Sequence, residues 1–100
     1  MKIETEGETL RVSAVPQLGA ANANSFRDSV RDSLDGTQKN IDIDLSETTF
    51  LDSCGLGALV ALQKTVSDRQ GAVRLLNPLP PVEQLLELTR MDRILEIIKS

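Results

Sequence analysis

Apolar and polar residues alternate through residues 2–6 and 8–15, with Ile3 and then Leu10, Val12 and Ala14 as the apolar positions and Gly7 between the two runs. Period-two alternation broken by a glycine predicts two strands joined by a tight turn, an antiparallel hairpin. Pro16 ends the second run, because proline cannot donate to a ladder, and residues 17–21 read as loop. The period then changes. Ala23, Phe26, Val30 and Leu34 recur at spacings of three and four, with Arg27, Asp28, Arg31 and Asp32 on the opposite side. That predicts an amphipathic helix capped by Asn22 or Asn24 and closed by a left-handed Gly36.

Ile41, Ile43 and Leu45 alternate with Asp42 and Asp44, predicting a strand with one buried and one wet face. Phe50 and Leu51 are expected to bring the chain back into the core. A helix from about Gly55 to Asp68 follows, ended by Gly71, and Ala72–Leu76 reads as a short buried strand. Pro81 suits the first turn of a helix carrying Val82, Leu85, Leu86 and Leu88. Met91, Ile94, Leu95, Ile97 and Ile98 fit a last short helix packed on the core, with a dimer contact as the alternative. The order β-β-α-β-α-β-α-α predicts one α/β domain over residues 1–100, built on a four-stranded mixed sheet with about four helices. Strands joined through helices should lie parallel.

Composition narrows the chemistry. The chain has 100 residues, no histidine and one cysteine. The Ser-His and Cys-His nucleophile pairs, the common zinc sites and an internal disulfide are therefore out of reach. Net charge is −4 and the only aromatics are two Phe. Basic residues are scattered among acids, so neither phosphate neutralisation nor base stacking favours nucleic acid as a partner. No run is long enough to insert in a bilayer, and the acidic start Met1-Lys2-Ile3-Glu4 has no apolar signal region. A cytoplasmic protein is expected.

One segment concentrates the remaining signal. Leu51-Asp52-Ser53-Cys54-Gly55-Leu56-Gly57 joins the strand region to an apolar helical stretch, Ala58–Leu62. Ser53 is expected at the helix N-terminus, where serine is a good cap. Free N–H groups and the helix dipole there would tolerate a phosphate. Residues 55–62 are apolar on every side, so this end is either fully buried or presents an apolar patch. An apolar partner surface would have to desolvate a phosphate of about −1.5 to −2 charges beside Asp52, so modification would switch association off without unfolding the domain. Cys54 reads as a small half-buried helix residue.

Asp52-Ser53-Cys54-Gly55-Leu56-Gly57, with Asp44 near the end of the preceding strand, resembles the anti-sigma factor antagonist family of bacterial STAS domains, whose motif reads Asp-Ser-(Ser/Thr)-Gly-(Leu/Val)-Gly. The likeness extends over nearly the whole chain in element order. It includes the stretch Pro80-x-Val82-x-x-Leu85-Leu86-x-Leu88-Thr89. The resemblance implies a partner-switching protein. It would bind an anti-sigma factor that is also a serine kinase when unphosphorylated, be released by phosphorylation of Ser53, and be restored by a phosphatase. By the same carry-over Asp52, Cys54, Gly55, Leu56 and Gly57 lie at the partner surface, with Gln17 and Gly19 of the loop. Without His, a phosphate loop followed by Lys or clustered metal ligands, no enzyme activity, cofactor or metal is expected, and the free protein is expected to be a monomer, with a dimer as the alternative.

Two departures stand out. Cys54 replaces Ser or Thr, and Pro16-Gln17-Leu18-Gly19 replaces the family's Gly-(Glu/Asp)-(Leu/Ile)-Asp, losing both acidic positions. The altered loop keeps a second reading open. In that reading the chain is a STAS scaffold or an accessory subunit of a signalling assembly or membrane transporter, unswitched by phosphate. An enzyme or nucleotide binder is disfavoured, because Gly55-x-Gly57 is too short for a nucleotide fingerprint. The Asp42/Asp44 pair reads as a solvated strand face rather than a metal pair.

Overall fold

The computed structural model describes residues 1–100, in which two sheets and three helices enclose one core. Strands β1 (Lys2–Glu6) and β2 (Thr9–Ser13) form the expected antiparallel hairpin, and Gly7 takes the positive φ, +61°, that its two-residue turn requires. A two-residue strand β3 (Gln17–Leu18) leads to helix α1 (Ala23–Asp32). Strands β4 (Asn40–Asp44) and β5 (Phe50–Leu51) precede α2 (Ser53–Ser67). Strand β6 (Val73–Leu76), helix α3 (Pro80–Leu88), a 3-10 turn at Met91–Arg93 and β7 (Glu96–Ile98) complete the chain.

The α/β class and the mixed sheet agree with the sequence pattern, and every pairing beyond the first hairpin is parallel. The main sheet has five strands rather than four, in the order β1-β2-β4-β6-β7, and β3 pairs β5 in a separate two-stranded sheet. The fifth strand is the second half of the segment read as a final helix, so three helices replace about four. Within it only Leu95 is fully buried, while Ile94 and Ile98 remain exposed. The β-branched pair Ile97-Ile98 is better used by extending β6, opposite Leu75 and Leu76.

The register sorts the main sheet into two faces. Leu10, Val12, Ile41, Ile43, Val73 and Leu75 share one face and are buried. They form one core with Phe26 and Val30 of α1, Leu59, Leu62 and Val66 of α2, and Val82 and Leu86 of α3. The opposite face carries a row of alternating charge across all five strands, Glu4, Arg11, Asp42, Arg74 and Glu96, each paired in register with the next. Arg74 bonds Asp42 through Nε and Thr9 Oγ1 through its guanidinium at 3.2 Å, and Arg11 lies 3.8 Å from Asp44. Asp42 and Asp44 are thus on the wet face expected for them, as members of ion pairs.

Two glycines act differently from expectation. Gly36 has φ +103° but stands four residues past the end of α1, whose C-cap Ser33 is right-handed. Gly71 has an ordinary φ, and it is needed because a Cβ would collide with the Lys39 carbonyl. The left-handed residue after α2 is Gln70, φ +61°. No helix is long and apolar enough to cross a membrane.

Candidate functional site

Strand β5 is what brings the motif to the surface. Its two residues pair with β3, Gln17 opposite Phe50 and Leu18 opposite Leu51. Thr48 Oγ1 donates to the Val15 carbonyl and Thr49 N to the Pro16 carbonyl at 3.0 Å, so segments 15–19 and 48–52 run side by side. Alternation within so short a strand sends Leu51 inward and Phe50 outward. Phe50 is 51% exposed, not part of the core as the sequence pattern suggested.

The helix cap is Asp52, not Ser53. Asp52 has extended backbone angles, and its Oδ1 accepts from Gly55 N at 3.0 Å. Its Oδ2 accepts from Ala20 N, also at 3.0 Å, across a separation of 32 residues. One carboxylate therefore holds two backbone donors, one in its own helix and one in the β3–α1 loop. Those bonds, from Gly55 first and Ala20 second, keep the Asp52 carboxyl below its ordinary 3.8. It is ionised at neutral pH.

Ser53 occupies the first position of α2 and is exposed, its hydroxyl taking no part in the capping that Asp52 carries. Cys54 is exposed too, rather than half-buried. Gly57, one turn beyond Ser53, is exposed with nothing within 4 Å of where a Cβ would sit. Gly55 is the opposite case, since a Cβ there would strike the Leu18 carbonyl and lie 2.7 Å from Leu51 Cδ1. Of the apolar stretch 55–62, Gly55, Leu56, Ala58, Leu59 and Leu62 are buried, so most of it is core rather than patch.

The loop residues complete the surface. Gln17 is exposed, while Gly19 is buried because Phe50 and Asp52 close over it. A Cβ on Gly19 would lie 2.6 Å from Phe50 Cε2 and 2.8 Å from Asp52 Oδ2. Asn22 makes no side-chain cap bond to α1. Instead its Oδ1 accepts from Gly19 N and its Nδ2 donates to the Gln17 carbonyl, each at 2.9 Å, folding the loop on itself.

The structure thus brings Gln17, Gly19, Asp52, Ser53, Cys54, Gly55, Leu56 and Gly57 into one region. Gln17, Ser53, Cys54 and Gly57 face outward, and Gly19, Gly55 and Leu56 lie beneath. Two participants escaped the sequence reading. Phe50 was detectable from strict alternation with Leu51, whereas the Ala20 amide carries no sequence signal at all.

These features match known proteins. The model of the STAS domain family matches residues 1–100. A Thermotoga maritima protein described as "Putative anti-sigma factor antagonist" is 35% identical over 82 residues, covering 81% of this chain and 73% of that protein. The crystal structure of a Thermotoga maritima protein of the same description aligns with TM-score 0.88 and 28% identity over 99% of this chain and 85% of that one. The anti-sigma factor antagonist SpoIIAA in its unphosphorylated form gives TM-score 0.86 over 99% of this chain and 86% of that one; at 19% identity this is a likeness of fold. With the family matched from end to end and a curated relative above one-third identity, the chain belongs to the STAS domain family, in its anti-sigma factor antagonist group.

Proposed function

We propose that this STAS domain is a partner-switching antagonist that binds an anti-sigma factor with serine kinase activity and is released when Ser53 is phosphorylated. The observation that carries the reading is the position of Ser53. Its hydroxyl is exposed at the first residue of α2, beside the ionised Asp52, and is not needed to cap the helix. A kinase can reach it without unfolding anything. The chain supplies only the nucleophile. Ser53 Oγ would bond the γ-phosphorus of a nucleoside triphosphate held by the partner, the bridging P–O bond would break, and the diphosphate would leave while the hydroxyl proton passes to a base of the kinase.

The outcome of that step follows from charge. About −1.5 to −2 charges would be added next to a carboxylate already held ionised, on a surface whose other exposed members are Gln17, Phe50, Cys54 and Gly57. A partner covering that surface would have to desolvate both anions at once, which disfavours the complex. Phosphate removal by a phosphatase reverses the effect.

Mass spectrometry of the protein isolated from its native cells tests the assignment. Phosphate on the peptide containing Ser53, at a level that changes with growth conditions, is the expected result. An unmodified Ser53 in every condition would favour the unswitched scaffold or accessory-subunit reading.

A further inference from the structure

Strand β7 forms one edge of the main sheet, with β6 as its only neighbouring strand. Two bonds fix the direction of its backbone groups. The Ile98 carbonyl accepts from Asn77 N at 2.8 Å, and Ser100 N donates to Asn77 Oδ1 at the same distance. Alternate residues of a strand turn their N–H and C=O groups to opposite sides. Ile98 and Ser100 therefore face β6, while Ile97 and Lys99 present two N–H and two C=O groups outward, where the sheet has no further strand. The side chains nearby are apolar for an edge. Of the large hydrophobic residues exposed on the whole chain, Leu88, Ile94 and Ile98 all fall between positions 88 and 98. The other edge, β1, carries a charge at every second residue, Lys2, Glu4 and Glu6, a common protection against pairing. In β7 the Lys99 ammonium is instead drawn to Glu83 of α3. We propose that two copies of this chain associate edge to edge through β7, antiparallel about a two-fold axis at Ile98, joining their five-stranded sheets into one.

The register follows from which groups are free. A strand that continues a sheet must match residues of the same face, so the axis of a self-paired β7 passes through Ile97 or through Ile98. About Ile98, Ile97 stands opposite Lys99 of the second copy and Lys99 opposite its Ile97, and each pair exchanges two N–H···O=C bonds. Every outward group of both residues is then satisfied. About Ile97, Lys99 would have to pair with Leu95, whose N–H already donates to the Met91 carbonyl at 2.8 Å. The Ile98 register also sets Ile98, 37% exposed, against its own copy at the closely spaced non-bonded position. Glu96 then lies opposite Ser100 and Lys99 opposite Ile97, so no like charges meet. A second copy fits this edge because the same short segment supplies both the donors and the acceptors. The contact is small beside a standard interface, so the dimer belongs to high protein concentration. None of these residues is part of the Ser53 site, and the inference stands apart from partner switching.

Sedimentation velocity and residue-resolved amide exchange by NMR, on the whole chain from about 10 μM to 1 mM, test the proposal. Monomer should give way to dimer as concentration rises. Exchange at the Ile97 and Lys99 amides should slow severalfold over the same range, while the Ile98 amide, turned toward β6, stays protected throughout. Ile98→Lys sets two like charges against each other across the axis and should remain monomeric at every concentration. Its unfolding temperature should stay close to that of the wild type, because Ile98 lies on the open sheet face. Should that variant fail to fold, Lys99→Pro removes two of the four interchain bonds without touching the groups that face β6, and should weaken the dimer about tenfold or more. A wild type that stays monomeric throughout would overturn the proposal. So would a dimer in which the Ile97 and Lys99 amides exchange as fast as in the monomer.

Discussion

Ser53 and Gly57 stand one helical turn apart on the exposed side of α2, and the space where a Gly57 side chain would lie is empty. A glycine inside a helix costs about 0.5–1 kcal/mol relative to alanine, and nothing within this chain requires one there. Gly55, two residues earlier, is required by the Leu18 carbonyl. Internal packing therefore accounts for Gly55, whereas Gly57 has no internal requirement and, under the proposed function, would serve the close approach of a partner.

Gly57→Ala should raise stability by about 0.5–1 kcal/mol and weaken partner binding, because a methyl group blocks close approach of the partner. Gly55→Ala should lower stability by about 1–3 kcal/mol, as expected for overpacking against backbone. Thermal unfolding of the two variants, with capture of the partner by each, checks this contrast. A stabilised Gly57→Ala that binds as wild type would remove Gly57 from the partner surface.

Phe50 is predicted to matter for binding far more than for stability. Phe50 is 51% exposed as a residue and its ring edge lies over Gly19, so Phe50→Ser should cost about 1 kcal/mol or less in folding. Exposed aromatics beside a recognition element are frequent binding hot spots, and loss of about 2 kcal/mol of binding energy, roughly thirtyfold in affinity, is expected. Calorimetric titration against the captured partner measures it.

Acid should weaken the α2 terminus in a defined direction. Asp52 and Asp35 both have carboxyls held below 3.8, Asp52 by the Gly55 and Ala20 amides and Asp35 by the Thr37 amide and hydroxyl. A lowered folded-state value means the unfolded chain binds protons first as pH falls. The stability these groups contribute is therefore present above the ordinary aspartate value and lost as pH drops through the lowered one. In a carbon-detected NMR titration Asp52 should have a midpoint below 3.8, and Asp52→Asn should lose less stability than wild type on acidification. A midpoint at or above 3.8 would contradict the two-donor geometry.

The charged row on the open sheet face should contribute through Arg74. Its side chain and that of Asp42 are 28% and 19% exposed, and Arg74 also reaches Thr9. Asp42→Ala should cost about 1–2 kcal/mol, because it leaves a half-buried guanidinium without its carboxylate. A double-mutant cycle with Arg74→Ala isolates the pair, and additive losses would show that it is not coupled.

The sequence was most legible where one period dominated. Leu10 and Val12, Ile41 and Ile43, and Ala23, Phe26 and Val30 are all buried as their spacing requires. It misled where one pattern fits two structures. Met91, Ile94, Leu95, Ile97 and Ile98 satisfy helical spacing, yet Ile97 and Ile98 are also good strand residues, and the open edge of β6 decided between them. At the site, Asp52 and Ser53 are both good caps at adjacent positions, and only the backbone shows that Asp52 has the extended conformation and the Gly55 amide. The Ala20 bond was beyond reach, because any residue but proline offers the same amide.

The most direct test of the switch is a side-by-side capture experiment with Ser53→Ala and Ser53→Asp as baits, each bound protein being identified and assayed for kinase activity. The account predicts that Ser53→Ala retains an ATP-binding serine kinase that Ser53→Asp does not, while the two baits unfold at nearly the same temperature. Equal recovery of that kinase on both baits would contradict it.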